Sequence, residues 1–396
     1  MKILVCNIGS SSLKFQLIDM QGEQRIARGH IDRVGSSVSQ INYWLQDRLV
    51  ESREAAIKNH RKSVNCALSL LCEGRFAAVS GLEEIEGVGF KCIQAGEKNG
   101  SVLLSPEVLD AMESYRDLAP AHNPPYLEAL HMFRELMVDT PLVGVFEPGF
   151  HVHVPDYARV YGTPLEWFEE FGVRKYGYHG ASHRYVTGRT VELLELPPDD
   201  HRIISCHLGG SSSLCAFKNG LSIDTSMGFT PQSGLIQGTR IGDMDPFVLP
   251  FIMRRKKITL EQALEECSRR AGLAGLSGTS GDMRDINREI ERGSQRALLA
   301  RNKFIYDIKR YVGEFLVSME GLDAVSFTGG IGQHDSALRE DVLSSLKFLG
   351  FELDSRRNQE HATIISADSS KIKALVIPTD EEIVVARETA RVIRGS

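Results

Sequence analysis

The sequence has no Cys-x-x-Cys pair. Its seven cysteines stand apart at 6, 66, 72, 92, 206, 215 and 267, an odd and scattered set. That spacing argues against a zinc ribbon and a disulfide framework and points to a reduced, cytoplasmic chain. No run approaches the roughly 20 apolar residues of a membrane helix. The opening MKILVCNIGSSS breaks into Asn, Gly and Ser after one short apolar stretch, unlike a secretory leader. Basic residues are not in excess: 46 Lys and Arg stand against 52 Asp and Glu, a net charge of −6. Nucleic acid and anionic membrane are therefore poor candidates as main partners, although a local basic pocket survives the argument. There is no low-complexity tract and no charged tail. Two nucleotide signatures are also missing. No Gly-x-x-x-x-Gly-Lys-Ser/Thr occurs, which excludes a P-loop. Gly329-Gly330-Ile331-Gly332 stops short of Gly-x-Gly-x-x-Gly, which leaves a Rossmann dehydrogenase poorly supported.

What is present reads as an ordered α/β chain. With 396 residues, 42% of them apolar and 25% charged, it has the content for packed cores and the length of two domains. Short runs rich in Val, Ile and Phe end in glycine or a polar cluster: KILVCNIG, VGFKCIQAG, PLVGVFEPG, RIISCHLGG, DAVSFTGGIG and KALVIPTDEE. They have the length and composition of buried strands. Helix-period segments at 106–115, 126–137, 260–270, 294–319 and 335–349 interleave with them. Residues 3–13, ILVCNIGSSSL, are echoed about half a chain later at 203–214, IISCHLGGSSSL. Each copy is followed by a second apolar run and a turn, Met20-Gln21-Gly22 or Lys218-Asn219-Gly220, so a β-hairpin is predicted twice. A duplicated domain, giving two similar lobes with a cleft between them, is the expectation; chance likeness of two Ser-rich turns is the alternative. The linker-like stretch 147–157, with its two prolines, marks a boundary near 150.

A Gly/Ser hairpin turn offers consecutive backbone N–H groups and hydroxyls, a nest for an anion such as phosphate. Lys14, just after the first turn, adds charge. One nest from each half would hold two phosphates of a nucleotide; two plain tight hairpins are the alternative. Thr328 to Gly332 joins the strand DAVSF to a helix expected from near Asp335, and glycine there lets a sugar or planar group approach the backbone. Gly272, Gly275, Gly278 and Gly281 lead into Asp282-Met283-Arg284-Asp285, a loop into a helix that serves either an adenosine pocket or plain connection. Hard oxygen donors for a nucleotide-bound metal stand where strands run out, at Asn7, Glu147 and Glu381, although a lone acidic residue there is also a helix cap. In YGYHGASHRY, residues 176–185, His179 lies among glycines and suits projection into a cleft, whereas His183 would cap or begin the following helix. Neither has a partner at zinc spacing. His151 and His153 alternate around Val152 and are expected on one face of an extended segment, as surface or packing groups. Arg240, between Gly238 and Gly242, suits a two-pronged grip on carboxylate or phosphate; pairing with Asp243 or Asp245 is the alternative.

Together these motifs resemble the acetate kinase family, the short-chain carboxylate kinases of the actin/sugar-kinase/Hsp70 fold. The resemblance runs nearly the whole length: NIGSSSLKF at the start, AHNPP at 121–125, RKYGYHGASHRYV at 174–186, HLGGSSSLCAFKNGLSIDTSMGFTP at 207–231, GLIQGTRIGDMDP at 234–246, SGTSGDMRDI at 277–286, FTGGIGQHDSALRE at 327–340 and IPTDEEIVVARET at 377–389. DTSMGFTP with GTRxGDxDP is the most specific part. The resemblance implies a duplicated two-lobe, actin-like and ribonuclease H-like ATPase fold. The N-terminal lobe would be residues 1–150 plus 383–396. The C-terminal, nucleotide-binding lobe would be 151–382 and would form a homodimer interface. ATP or ADP would be co-substrate, with Mg²⁺ (or Mn²⁺) held by Asn7 and Glu381. Ser10, Ser12 and Lys14 would lie near the phosphates, and His207, Leu208, Gly209, Gly210 and Ser211 would bind the β- and γ-phosphates. Asp282, Met283 and Arg284 with Gly329, Gly330, Ile331, Gly332 and Gln333 would frame the adenosine. Glu147, His179 and Arg240 would be catalytic, the last two stabilising the phosphoryl group in transfer. Lys91, Ile93, His122, Tyr178 and Pro231 would serve the carboxylate.

Departures from the family gather at the acyl site. The family's Gly-His-Arg-Val-Val-His-Gly-Gly is here Gly-Phe-Lys-Cys-Ile-Gln-Ala-Gly, residues 89–96, so its carboxylate-clamping arginine is Lys91. The family's Phe-Asp-Thr-Ala-Phe-His is here Phe-Glu-Pro-Gly-Phe-His, residues 146–151, so its catalytic aspartate is Glu147. Tyr178 stands for Phe, Gln333-His334 for Glu-Asn, and Asp380 for Asn. Lysine is a point charge without arginine's fork. Glutamate reaches about one methylene further, and displacement by about 1 Å can cost on the order of 10²-fold. The two exchanges would compensate each other. An acceptor carboxylate is already ionised at pH 7 and needs no general base, so the work is electrostatic. Ile93 and Pro231 suit a small apolar pocket, with Tyr178 and Gln94 as polar handles. Acetate or propionate is the default acceptor. The alternatives are a larger or hydroxylated acid, a different phosphoryl donor, or a nucleotide-binding homologue with weak or lost transfer. A sugar kinase lacks support, since no Asp is placed as base for a hydroxyl.

Overall fold

The computed structural model describes residues 1–116 and 123–395, and His122 lies outside the described residues. The chain divides into two compact units, Met1–Phe150 with Asp380–Ser396, and His151–Thr379. The return to the first unit falls at Asp380 rather than 383. Asp380 caps the helix Glu381–Arg394, its Oδ1 accepting from the N–H of Ile383 at 3.0 Å, so Glu381 belongs to the first unit and not, as the sequence suggested, to the second. Aspartate serves this cap as well as the family's asparagine would.

The first unit is built on eight strands: β1 (Lys2–Gly9), β2 (Ser12–Asp19), β3 (Gln24–Asp32), β4 (Ser39–Leu45), β5 (Arg48–Ala55), β6 (Gly87–Cys92), β7 (Ser101–Leu103) and β8 (Leu142–Phe146). They lie in the order β5-β4-β3-β2-β1-β6-β8-β7. β1, β2 and β3 pair antiparallel, whereas β1, β6 and β8 run parallel. Burial follows position. All five residues of β8 are buried, while β5 at the edge is polar and largely exposed. The helix Glu381–Arg394 packs on β1, β6 and β8 through Ile383, Val384, Ala386 and Ala390. It comes close enough that a Cβ on Gly89 would lie 2.2 Å from Thr389 Oγ1.

The second unit carries β9 (Arg202–Leu208), β10 (Ser212–Lys218), β11 (Leu221–Thr225), β12 (Ala324–Thr328) and β13 (Lys373–Val376), in the order β11-β10-β9-β12-β13. β10 is antiparallel to both neighbours, and β9, β12 and β13 are parallel. That is the succession β3-β2-β1-β6-β8 with the same directions. The duplication therefore rests on topology, not on five matching residues, and each Gly/Ser turn occupies the same place in its sheet. Separate apolar cores fill the two units, around Phe15, Phe90 and Phe133 in one and Phe304, Phe315 and Phe327 in the other.

Three local expectations are corrected. Gly272–Ser277 is a helix, not only a loop. The helix after β12 begins at Gly329, at once, and a second begins at Ser336. Gly329 has φ +76°, and a Cβ there would meet the Leu208 carbonyl oxygen at 2.4 Å, so the close turn admits only glycine. His151 and His153 do not share an extended face. Glu147–His151 is a 3-10 turn that buries His151, while His153 is exposed. All seven cysteines are free thiols. Among the described residues no helix is long and apolar enough to cross a membrane.

Candidate active site

In the first unit, Asn7, Lys91 and Glu147 come from the carboxyl ends of the parallel strands β1, β6 and β8, where open α/β sheets place ligands. Glu381 opens the helix packed on those strands. Lys91 Nζ lies 3.0 Å from Glu147 Oε1 and forms a second ion pair with Glu381. Glu147 is buried and Lys91 half-buried. Burial opposes the lysine's charge, but Glu147 and then Glu381 outweigh it and hold Lys91 well above the ordinary lysine value. Lys91 is thus a fixed cation. The Tyr126 hydroxyl accepts from the N–H of Ile8 at 3.0 Å and donates to Asn7 Oδ1 at 3.4 Å, which orients the Asn7 amide. Ile93 is half-buried, Ser10 and Lys14 are exposed, and Ser12 is half-buried. Gln94 is buried, and its Oε1 accepts from the N–H of Gly96 at 2.9 Å and from Asn99 Nδ2 at 2.6 Å, holding its own loop.

The donors here suit a hard cation. The Asn7 amide oxygen and the Glu381 carboxylate are hard donors, and the carboxylates of Glu147 and Glu381 already stabilise a positive charge on Lys91. Magnesium commonly takes one or two protein oxygens and completes its shell with water and phosphate.

In the second unit a serine–histidine network surrounds His179. His179 has φ 57°, the left-handed region, just before the helix Gly180–Leu194. Its Nδ1 lies 2.8 Å from Ser213 Oγ, and its ring stacks on His207 at 4.2 Å between centroids. His207 Nδ1 meets Ser182 Oγ at 2.8 Å. His183 is buried between Ser205 Oγ at 2.9 Å and Ser213 Oγ at 2.8 Å. His151 is held by Ser222 Oγ and the Tyr178 carbonyl. Burial pushes His151 down to about 4 and His183 well below its ordinary value, so both are neutral. Sequence reading missed Ser205 and Ser213. The available signal was alternation: Ser205 and His207 share one face of β9, and the hairpin register sets Ser213 opposite His207.

Arg240 sits beside the second Gly/Ser turn. Its Nη1 donates to Ser211 Oγ at 3.1 Å and to Gln237 Oε1 at 3.0 Å. The proposed pairing with Asp243 or Asp245 does not occur. Asp243 accepts from Arg310, the Tyr311 hydroxyl and the N–H of Gly234, and Asp245 accepts from the N–H of Phe247. Burial eases the Arg240 value down, and no carboxylate among the described residues offsets its charge. Tyr178 spends its hydroxyl on the Phe229 carbonyl at 2.8 Å, tying it to the 226–233 loop, and the Pro231 carbonyl accepts from Gln237 Nε2 at 2.7 Å.

A cavity of about 780 Å³ opens in the same unit. Gly209, Gly210, Asp282, Met283, Arg284, Gly330 and Ile331 line it, as the sequence suggested. His207, Leu208, Ser211, Gly329, Gly332 and Gln333 do not. Gly332 packs on Phe327 and the Gln333 carbonyl accepts from Arg339. Asn287, His334 and Asp335 also line the cavity; Asn287 stands one helical turn after Met283 and bonds Asp335 at 3.1 Å. The Asp282 carboxyl is held down to about 2 by the Arg284 guanidinium.

One strand order repeated in two sheets, with a phosphate-type turn at the same position in each, is the architecture of the actin-like phosphotransferases. Within that class, the chain belongs to the Acetokinase family, which it matches over residues 2–387. It is 40% identical over 399 residues to an acetate kinase of Thermoanaerobacter pseudethanolicus, covering all of both chains. Its structure resembles the crystal structures of a Porphyromonas gingivalis acetate kinase (TM-score 0.92, 37% identity) and a Francisella tularensis propionate kinase (TM-score 0.90, 31% identity), each over 99% of both chains.

Proposed function

We propose that the chain transfers the γ-phosphoryl group of ATP to a short-chain carboxylate, acetate or propionate, forming an acyl phosphate and ADP, and catalyses the reverse. The observation that carries this reading is Arg240, a half-buried cation beside a Gly/Ser turn with no acidic partner among the described residues, as an anion site requires. The family relation supplies the acceptor class.

In the proposed reaction a carboxylate oxygen attacks the γ-phosphorus and the bond to the bridging oxygen of ADP breaks. The electron pair leaves with ADP and no proton moves. Gly210 presents its backbone N–H to phosphate at a turn that Gly209 closes by donating to Ser212 Oγ at 3.1 Å, and the cavity takes the nucleoside. Arg240 and His179 stabilise charge on the phosphoryl group. Lys91, permanently protonated, attracts the acceptor carboxylate, and Glu147 positions Lys91. Ile93 favours a small alkyl group. Asn7 and Glu381 would hold Mg²⁺, whose chemistry there is to offset phosphate charge. A cytoplasmic homodimer fits the reading; Phe247 and Phe251, one helical turn apart and 78% and 51% exposed, supply an apolar face in the second unit.

Trapping acyl phosphate with hydroxylamine tests the function. Purified protein with MgATP is expected to yield hydroxamate from acetate and propionate. ATP binding without hydroxamate from any short acid would favour a homologue that has lost transfer.

A further inference from the structure

The hydrogen bonds around Ser213 deepen the role of His179, whose catalytic meaning rests on the phosphotransfer reading. Ser213 is fully buried on β10, and its hydroxyl stands 2.8 Å from two ring nitrogens, His179 Nδ1 and His183 Nε2. His183 is also fully buried and neutral, and its other nitrogen, Nδ1, lies 2.9 Å from Ser205 Oγ. The arrangement is a line of four groups: Ser205, His183, Ser213, His179.

A neutral imidazole carries one N–H, and a hydroxyl carries one O–H. The line therefore has two self-consistent directions. In one, His183 donates from Nδ1 to Ser205, Ser213 donates to His183 Nε2, and His179 must donate from Nδ1. In the other, Ser205 donates to His183 Nδ1, His183 donates from Nε2 to Ser213, and Ser213 donates to His179 Nδ1. Ser205 decides between them. It is fully buried, and its hydroxyl meets no acceptor among the described residues except His183 Nδ1. The first direction leaves that buried hydroxyl proton without an acceptor, which folded proteins avoid. The second gives the protons of Ser205, His183 and Ser213 an acceptor each and leaves only the Nε2 proton of the half-buried His179 to point out of the line.

We propose that Ser213, directed by His183 and Ser205, is a positioning residue that fixes His179 as the neutral tautomer with its proton on Nε2. An oxyanion needs a donor, and a fixed Nε2–H supplies one without a proton having to arrive during the reaction. His179 lies in the left-handed region just before its helix, so its orientation is set locally and its tautomer by Ser213.

The test is ¹⁵N NMR of histidine side chains in the intact protein, with His179 assigned by the resonance that His179→Gln removes. The expected wild-type spectrum shows His179 protonated at Nε2 and not at Nδ1. Ser213→Ala is expected to mix the tautomers and to lower kcat by roughly 10²-fold with little change in KM for ATP. Ser213→Thr, which keeps the hydroxyl, is expected to restore both tautomer and kcat. A wild-type His179 protonated at Nδ1 would overturn the proposal, whatever the variants do. So would a Ser213→Ala protein with an unchanged His179 spectrum. Should the wild type show the Nε2 tautomer yet phosphorylate no carboxylate, the tautomer assignment stands and the functional reading falls.

Discussion

An ammonium at position 91 asks for different partners than a guanidinium. It has no fork to spread over one carboxylate, and here it is met by two, Glu147 and Glu381. The longer Glu147 side chain reaches from the end of β8 to a lysine head that is more compact than arginine's. Lys91→Arg and Glu147→Asp are each expected to lower kcat for acetate by about 10- to 10²-fold, and the double variant to recover part of the loss. Steady-state kinetics on the four proteins give a coupling of at least about 0.5 kcal/mol if the exchanges compensate; simple additivity would remove the idea. The buried histidines make a second prediction. His151 titrates near 4 in the folded protein against about 6.5 when unfolded, and His183 is displaced the same way. Between those values the unfolded chain binds more protons, so stability is full above about pH 6.5 and is lost as pH falls towards 4. Calorimetry is expected to show the melting temperature falling by several degrees over that window. A flat profile would mean these imidazoles are not held neutral.

Elements that announce themselves locally were legible. The two hairpins rest on a Gly/Ser turn flanked by apolar runs, and the long helix Gln295–Ser318 rests on its own period. The short helices Gly272–Ser277 and Gly329–His334 were not, because glycine-rich segments have poor intrinsic helix propensity. The first is stabilised from outside: the N–H groups of Leu273 and Ala274 donate to the carbonyls of Gln237 and Gly238. Likewise the ends of β1, β6 and β8 could be named from motif likeness, but the joining of Lys91 to Glu381 spans 290 residues and has no local signal. Asp335 tests the element scale. It caps the helix Ser336–Leu343 through the N–H of Leu338 at 2.8 Å and accepts from Asn287 at the cavity wall. Asp335→Ala is expected to cost about 1 kcal/mol, lowering the melting temperature by about 2–4 °C, and to raise KM for ATP while leaving KM for acetate nearly unchanged. Equal rises in both constants would show that the cap does not act through the nucleotide site.

For the molecule as a whole, duplication explains why two units of one strand order each carry a Gly/Ser turn at the same place, to which the second adds a glycine-lined cavity and the first a lysine held by two glutamates. The sequence exposed the repeat but not which residues of the second turn reach the cavity, since Gly209 and Gly210 line it while Ser211 turns to Gln237 and Arg240. The central claim is that a carboxylate oxygen attacks phosphorus. Acetate labelled with ¹⁸O in both oxygens, incubated with MgATP and followed by ³¹P NMR, reads that directly. The account predicts an acetyl phosphate signal carrying the isotope shift of a bridging ¹⁸O. Unlabelled inorganic phosphate as the sole product, or no consumption of ATP, would contradict it.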